Sequence, residues 1–209
     1  MATSQSPKLY TMSGTCALAP HIVLEWIGKP YELEVMEHGQ HLEPEYLKIN
    51  PKGKVPALIN EDGRVLTEAA AILMYLADRY PQANLGTGDD AYERYQLEEW
   101  LAYMTSEVHA DFAPHFAPQR FIDDENQYDA VRKATYERLR EHYETLNERL
   151  NQHLMAHGRT VADSYLYVLT RWIDLTPMNI NDYPNLKGFR EHMSADAGVK
   201  QAVEMQKAK

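Results

Sequence analysis

The sequence predicts two structural classes joined end to end: an N-terminal α/β unit, then a unit built only of helices. Three observations lead there. Short apolar runs with strand-like alternation occur only in the first third of the chain, interleaved with helical stretches. From Ala91 onward apolar residues recur at helical spacing alone. Finally, Pro56 stands directly against the run Ala57-Leu58-Ile59. Proline cannot donate to a β-ladder, so it opens a strand here, and after a glycine-bearing loop it is a candidate cis-proline.

Taken in order, residues 8–12 read as a first strand, with Leu9 and Tyr10 apolar. Ser13-Gly14-Thr15 is a turn. A helix over 16–27 carries Leu18, Ile22, Trp26 and Ile27, and Gly28 stops it. Residues 31–36 alternate and form a second strand, and 55–60 form a third. Glu61-Asp62-Gly63 is a hairpin turn leading to a fourth strand over 64–66. A helix over 68–80 puts Ile72, Leu73, Tyr75 and Leu76 on one side. The order βαβ then ββα is the thioredoxin-like pattern, a sheet flanked by helices.

Residues 81–90, rich in Pro, Gly, Asn and Asp, read as a linker. Helices follow over 92–113, 127–155, 161–175, 186–194 and 199–207, the third being the most apolar. The expected division is a loose tail over 1–7, a thioredoxin-like domain over 8–80, the linker, and an all-helical domain over 91–209.

Composition narrows the function. The chain has 209 residues, 44% of them hydrophobic, enough for a sizeable core in one large or two small domains. There is no long apolar run of membrane-spanning length. The first residues lack the basic and apolar regions of a signal peptide. A net charge of −10 argues against a nucleic-acid surface. One cysteine excludes an internal disulfide and suits a reducing compartment, so a cytoplasmic location is expected. The histidines are scattered without His-Glu-x-x-His spacing, so no metal site is expected.

Cys16 is the only thiol. At a helix N-terminus it faces unpaired N–H groups and the positive end of the helix dipole, which favour thiolate. A small buried hydrophobe is the other reading, since most free cysteines behave so. Glu68 falls in the first turn of a helix, where a carboxylate is favourable, and the N–H of Ala69 there is a natural anion site. His109 lies on an amphipathic helix, where histidine serves packing or proton movement. Thr160-Val161-Ala162-Asp163 is a capping pattern, a folding feature. Arg159 stands where a hydrophobic staple would precede that cap and Ser164 at the staple's partner position, which predicts a less tightly fixed helix start.

Four stretches together carry a resemblance: Gly14-x-Cys16-x-Leu18-Ala19, Asn50-Pro51-x-Gly53-x-Val55-Pro56-Ala57-Leu58, Thr67-Glu68-Ala69, and His109-x-x-Phe112-x-Pro114-x-Phe116. The chain resembles the glutathione transferases, most of all the bacterial beta class, over nearly its whole length. The resemblance implies glutathione as co-substrate, bound by its backbone at Val55 and its γ-glutamyl end at Glu68 and Ala69. Lys54 and His41 would reach its glycine carboxylate. Cys16 and His109 would face its sulfur, and Ser106 would reach the partner subunit's glutathione. It also implies a homodimer, with the site in the cleft between the domains. Apart from the resemblance, the aromatic residues read mostly as core or domain-interface packing, and Tyr103, Phe112, Phe116 and Trp172 as the ones that could wall a site for an apolar electrophile. The tyrosine of other classes would fall near Thr11, with Tyr10 turned to the opposite face. Three positions depart from the family pattern: Ala17, Ala69 and Ala102 each replace a polar residue. They leave two alternatives to conjugation: thiol–disulfide exchange or peroxidase chemistry through Cys16, and a non-enzymatic binding protein that keeps the fold.

Overall fold

The structure is a computed structural model and describes residues 6–88, 90–150 and 158–207. Four strands form one mixed sheet in the order β2-β1-β3-β4: β1 (Lys8–Thr11), β2 (Glu32–Val35), β3 (Ala57–Ile59) and β4 (Val65–Thr67). β1 pairs parallel with β2 and antiparallel with β3, so Leu9 lies between Leu33 and Leu58. β3 pairs antiparallel with β4, putting Ala57 opposite Thr67.

One sheet face is covered by α1 (Leu18–Ile27) and α3 (Ala69–Arg79). Leu9, Leu58, Ile22, Ile72, Leu73 and Leu76 are fully buried between them. α1 ends where Gly28 takes a left-handed conformation and its N–H returns to the Leu24 carbonyl. The other face carries a smaller cluster of Met36, Tyr46 and Ala57, with Tyr10 packed on Tyr46 at 5.5 Å. Tyr46 comes from a short helix, α2 (Pro44–Leu47).

The helical half contains α4 (Ala91–Tyr103), α5 (His109–Phe116), α6 (Tyr128–Leu150), α7 (Val161–Trp172), α8 (Pro184–Ala195) and α9 (Ala197–Lys207). α7 is the central element: every residue but Arg171 is buried. α1 packs against both α7 and α9, so the two halves share one continuous core.

Two expectations are corrected here. The single helix expected over 92–113 is three pieces, α4, a π-helical turn over Met104–Val108, and α5. The Thr105 hydroxyl donates to the Leu101 carbonyl at 2.7 Å and the His109 N–H to Met104, five residues back. Such back-bonding competes with the regular ladder and accommodates one extra residue in the turn. The start of α7 is not loose. Asp163 Oδ2 accepts the Thr160 N–H at 2.6 Å. Arg159 replaces the staple by stacking over Trp26 at 4.3 Å and pairing with Asp196 at 2.8 Å. Asp196 in turn accepts the Trp26 indole N–H at 2.9 Å. The last residues of the helix expected over 127–155 lie outside the described residues.

Candidate functional site

A cleft of about 1130 Å³ lies between the sheet edge and the helical half. Its floor is the turn after β1. Cys16 sits two residues before α1, in a turn held by the Thr15 hydroxyl donating to the Met12 carbonyl at 2.7 Å. The helix begins later than its expected start at Cys16, so the thiol precedes the helical N–H groups.

Burial pushes the Cys16 thiol up to about 12, helped by the negative charge of Glu68 and opposed by its own backbone N–H and the positive charge of Lys54. The expectation of a dipole-favoured thiolate is thereby reversed: desolvation of the charged form outweighs the helix terminus. The thiol points toward the Val55 carbonyl, with Sγ 4.0 Å away.

Val55 precedes Pro56 across a cis peptide bond. Among the described residues its backbone N–H has no hydrogen-bond partner, which leaves an extended ligand able to pair with it. The loop before it is pinned at Lys54, whose carbonyl accepts from Tyr46 Oη and Asn50 Nδ2, both at 2.6 Å. Gly53 has φ 58°, and a Cβ there would stand 3.1 Å from Leu42 and 3.3 Å from the His41 carbonyl. Only glycine lets the two loops meet so closely. His41 itself lines the cleft, and its buried Nδ1 has no partner among the described residues.

Glu68 takes φ 72° and ψ 122°, a region that side chains rarely occupy. Its carbonyl accepts the Ile72 N–H at 3.0 Å and so starts α3. The N–H groups of Ala69 and Ala70 are left open toward the cleft, as at any helix N-terminus. Lys52 reaches across from the Asn50-Pro51 loop. Its ammonium donates to Thr67 Oγ1 at 2.7 Å and pairs with the Glu68 carboxylate. That lysine was not singled out from the sequence, where it reads as one more surface cation.

His109 opens α5. Its Nδ1 lies 2.5 Å from the hydroxyl of Tyr165, and its ring meets Trp172 edge-on at 4.8 Å. Burial first, then the charge of Lys54, lowers the imidazole to about 4, so it is neutral near pH 7. Tyr165, on α7, is 1% exposed yet lines the cleft with its hydroxyl. Sequence reading missed Tyr165. The available signal was a tyrosine inside a helix apolar all round, since a buried phenol requires a partner.

The remaining expected residues divide. Lys54, Ala69, Phe116 and Trp172 line the cleft. Phe112 is fully buried beneath it, and Tyr103 turns to α6, where its hydroxyl meets His142 Nδ1 at 2.8 Å. Neither walls the cleft. Ser106 and Ala102 are exposed and also outside it, while Thr105 takes the cleft position that the π-helical turn creates. Thr11 is buried, its hydroxyl accepting from Gln206 Nε2 at 2.9 Å. No cluster of three His, Cys, Asp or Glu able to hold a metal occurs among the described residues.

The comparisons with known proteins agree with this geometry. Residues 14–79 match the family Glutathione S-transferase, N-terminal domain, and residues 103–197 match Glutathione S-transferase, C-terminal domain. Glutathione S-transferase GST-4.5 of Xanthomonas campestris is 36% identical over 94% of this chain and 97% of its own. The bacterial beta class glutathione S-transferase of Sphingomonas chungbukensis superposes with TM-score 0.85 at 31% identity, covering 95% of this chain and 98% of that one. A sphingomonad glutathione S-transferase complexed with glutathione gives TM-score 0.86 at 31% identity, covering 97% of this chain and 100% of that one. The chain belongs to the glutathione S-transferase family. Its similarity is to the bacterial beta-class members.

Proposed function

We propose that this protein is a glutathione transferase that conjugates the glutathione thiolate to apolar electrophilic small molecules. The observation that carries this reading is convergence. Cys16, the Val55 backbone, Glu68 with the open N–H groups of Ala69 and Ala70, and His109 all line one cleft. Val55 would pair with the cysteinyl backbone of glutathione. Glu68 would take its α-ammonium, displacing Lys52, and the α3 N-terminus its α-carboxylate. Lys54 and His41 are the basic side chains on the side where the glycine carboxylate would lie. The sulfur would rest beside Cys16, Tyr165 and His109, and Phe116 and Trp172 offer apolar wall to the electrophile. Holding thiolate and electrophile together supplies most of the acceleration, because a two-molecule encounter becomes a one-molecule step.

The domain division proposed is 8–80 and 91–209 with a linker over 81–90. A homodimer is proposed with it, with Ser106 facing the partner. Tyr92 and Tyr95 are 72% and 67% exposed on one side of α4, an apolar surface a second copy would cover. A cytoplasmic location fits the lone thiol. Among the described residues no helix is long and apolar enough to cross a membrane.

The test is retention on immobilised glutathione, release by free glutathione, and turnover of 1-chloro-2,4-dinitrobenzene. Flow-through with no turnover would favour the non-enzymatic reading. A second reading rests on Cys16 lining the cleft: it forms a mixed disulfide with glutathione, as in thiol–disulfide exchange. Mass spectrometry after oxidised glutathione, with Cys16→Ala as control, decides it.

A further inference from the structure

The two ring nitrogens of His109 have different surroundings. Nδ1 faces the hydroxyl of Tyr165 at 2.5 Å, the two rings tilted at 41° with centroids 6.2 Å apart. Nε2 has no hydrogen-bond partner among the described residues, yet it is not sealed off: it opens to the cleft that His109 lines. Trp172 meets the ring edge-on at 4.8 Å and leaves it little freedom to turn. Tyr165 is 1% exposed on the central helix, so its hydroxyl is placed by the core and not by a ligand.

We infer that Tyr165 is a positioning residue: its O–H donates to His109 Nδ1, fixes the Nε2–H tautomer, and makes His109 a hydrogen-bond donor to the glutathione sulfur instead of a base. The inference rests on the glutathione transferase reading above and assigns the part that the imidazole plays in it. The place of the proton follows from counting partners. A phenol has one proton to donate, and a neutral imidazole has one donor and one acceptor nitrogen. Nδ1 is the single hydrogen-bond partner of Tyr165 Oη among the described residues. Were Nδ1 to carry the ring proton, the O–H of Tyr165 would be a buried donor without an acceptor, which folded interiors avoid. The O–H therefore points at Nδ1, and the ring proton sits on Nε2.

The electrostatics agree with a neutral donor. Burial, then the charge of Lys54, lowers the imidazole to about 4 against the opposing charge of Glu68, so near pH 7 the ring carries one proton. Burial also holds Tyr165 well above the ordinary tyrosine range, so it keeps the proton that it donates. The titratable groups facing His109 are Cys16 from the turn after β1, Lys54 and Glu68 from the sheet side, and Tyr165 from α7. In the reaction the glutathione thiol loses its proton to water in the open cleft. The Nε2–H group holds the resulting thiolate, whose electron pair forms the bond to the electrophilic carbon as chloride leaves a chlorinated substrate. The ring neither takes nor gives up a proton, so the donor is in place before the charge develops.

The experiment is the ionisation of bound glutathione against pH, read from the ultraviolet difference absorbance of its thiolate, with turnover of 1-chloro-2,4-dinitrobenzene, in the full chain and in Tyr165→Phe. Phenylalanine keeps the ring but frees Nδ1 to carry the proton, so Nε2 is no longer held as a donor. Expected in Tyr165→Phe is a bound thiol that ionises about one pH unit higher and a kcat about tenfold lower near neutral pH, with the KM for glutathione within about twofold of the parent's. Activity should return as pH is raised. An unchanged or lower ionisation point, whatever happens to KM or the melting midpoint, makes Tyr165 structural only; it overturns the inference and leaves the transferase reading intact. Neither thiolate nor turnover on the parent chain overturns the transferase reading and the inference with it. Should Tyr165→Phe not fold, nitrogen NMR of the parent labelled at histidine decides, with His109 assigned by the signal lost in His109→Gln. The Nε2–H tautomer upholds the inference, and the Nδ1–H tautomer overturns it.

Discussion

The indole N–H of Trp172 donates to the carbonyl of Gly14 at 3.0 Å, across 158 residues of sequence. This bond ties the last turn of α7 to the loop that presents Cys16, and it does so under the ring of His109. Trp172→Phe keeps an aromatic ring but removes the donor and part of the contact. The Gly14 carbonyl then has to find another partner, at about 1–3 kcal/mol of stability. The expected result in urea unfolding is a loss in that range, with a several-fold higher KM for glutathione. Unchanged stability and KM would show that the turn is held elsewhere.

Glu68 combines a binding role with a strained backbone, its φ of 72° being unfavourable for any residue with a Cβ. Glu68→Gly is expected to raise stability by about 1 kcal/mol, because strain of this kind costs about 1–3 kcal/mol. The same change removes the proposed partner of the glutathione ammonium, a charged contact worth about 1.5–3 kcal/mol, so KM should rise about 10- to 100-fold. Thermal melting together with steady-state kinetics reads both effects. A lower melting midpoint would mean that the Lys52–Glu68 pair outweighs the strain.

Acid should weaken the fold through two buried imidazoles. His21 is fully buried between Tyr31 Oη at 2.9 Å and Gln206 Nε2 at 3.0 Å. Burial lowers it to about 4 from its ordinary 6.5, and His109 falls to about 4 for the same reason. With folded-state values below the unfolded ones, the unfolded chain binds more protons in this window. Stability is therefore complete above about pH 6.5 and is lost as pH falls toward 4. His21→Gln should be less stable at pH 7 but show a shallower decline over that interval. A decline as steep as the parent's would assign the acid sensitivity to other groups.

The start of α7 gives a prediction about folding energetics alone. Thr160→Ala should cost about 1 kcal/mol, the ordinary value of a cap. Arg159→Ala should also destabilise, by up to about 1 kcal/mol, through loss of its stacking on Trp26 and its exposed pair with Asp196. Because both residues fix the same helix start, the double variant should lose less than the sum. Strict additivity in chemical denaturation would separate the cap from the Arg159 clamp.

The strands, the order of elements and the cis-proline at Pro56 were legible in the sequence because each follows from near neighbours: alternation, a glycine stop, a proline against an apolar run. Helix α7 was equally legible from its apolar length and capping box. The cleft residues Cys16, Val55, Glu68, Ala69 and His109 were found through short motifs. Less legible was the break in the helix over 92–113, because π-helical turns leave no composition signal beyond a threonine able to bond backward. For Tyr103 and Phe112 the packing reading of the aromatic set holds, since Phe112 is fully buried and Tyr103 turns to α6.

The sequence by itself determined which segments become strands and helices and which short motifs carry polar groups suited to glutathione. That information is local, written in periodicity and in the conformational limits of Gly and Pro. Only the tertiary structure decided the burial of Cys16, the tie from Trp172 to Gly14, and the bond between His109 and Tyr165. Those outcomes depend on how much water is excluded and on which distant side chains share the space, and packing alone sets both.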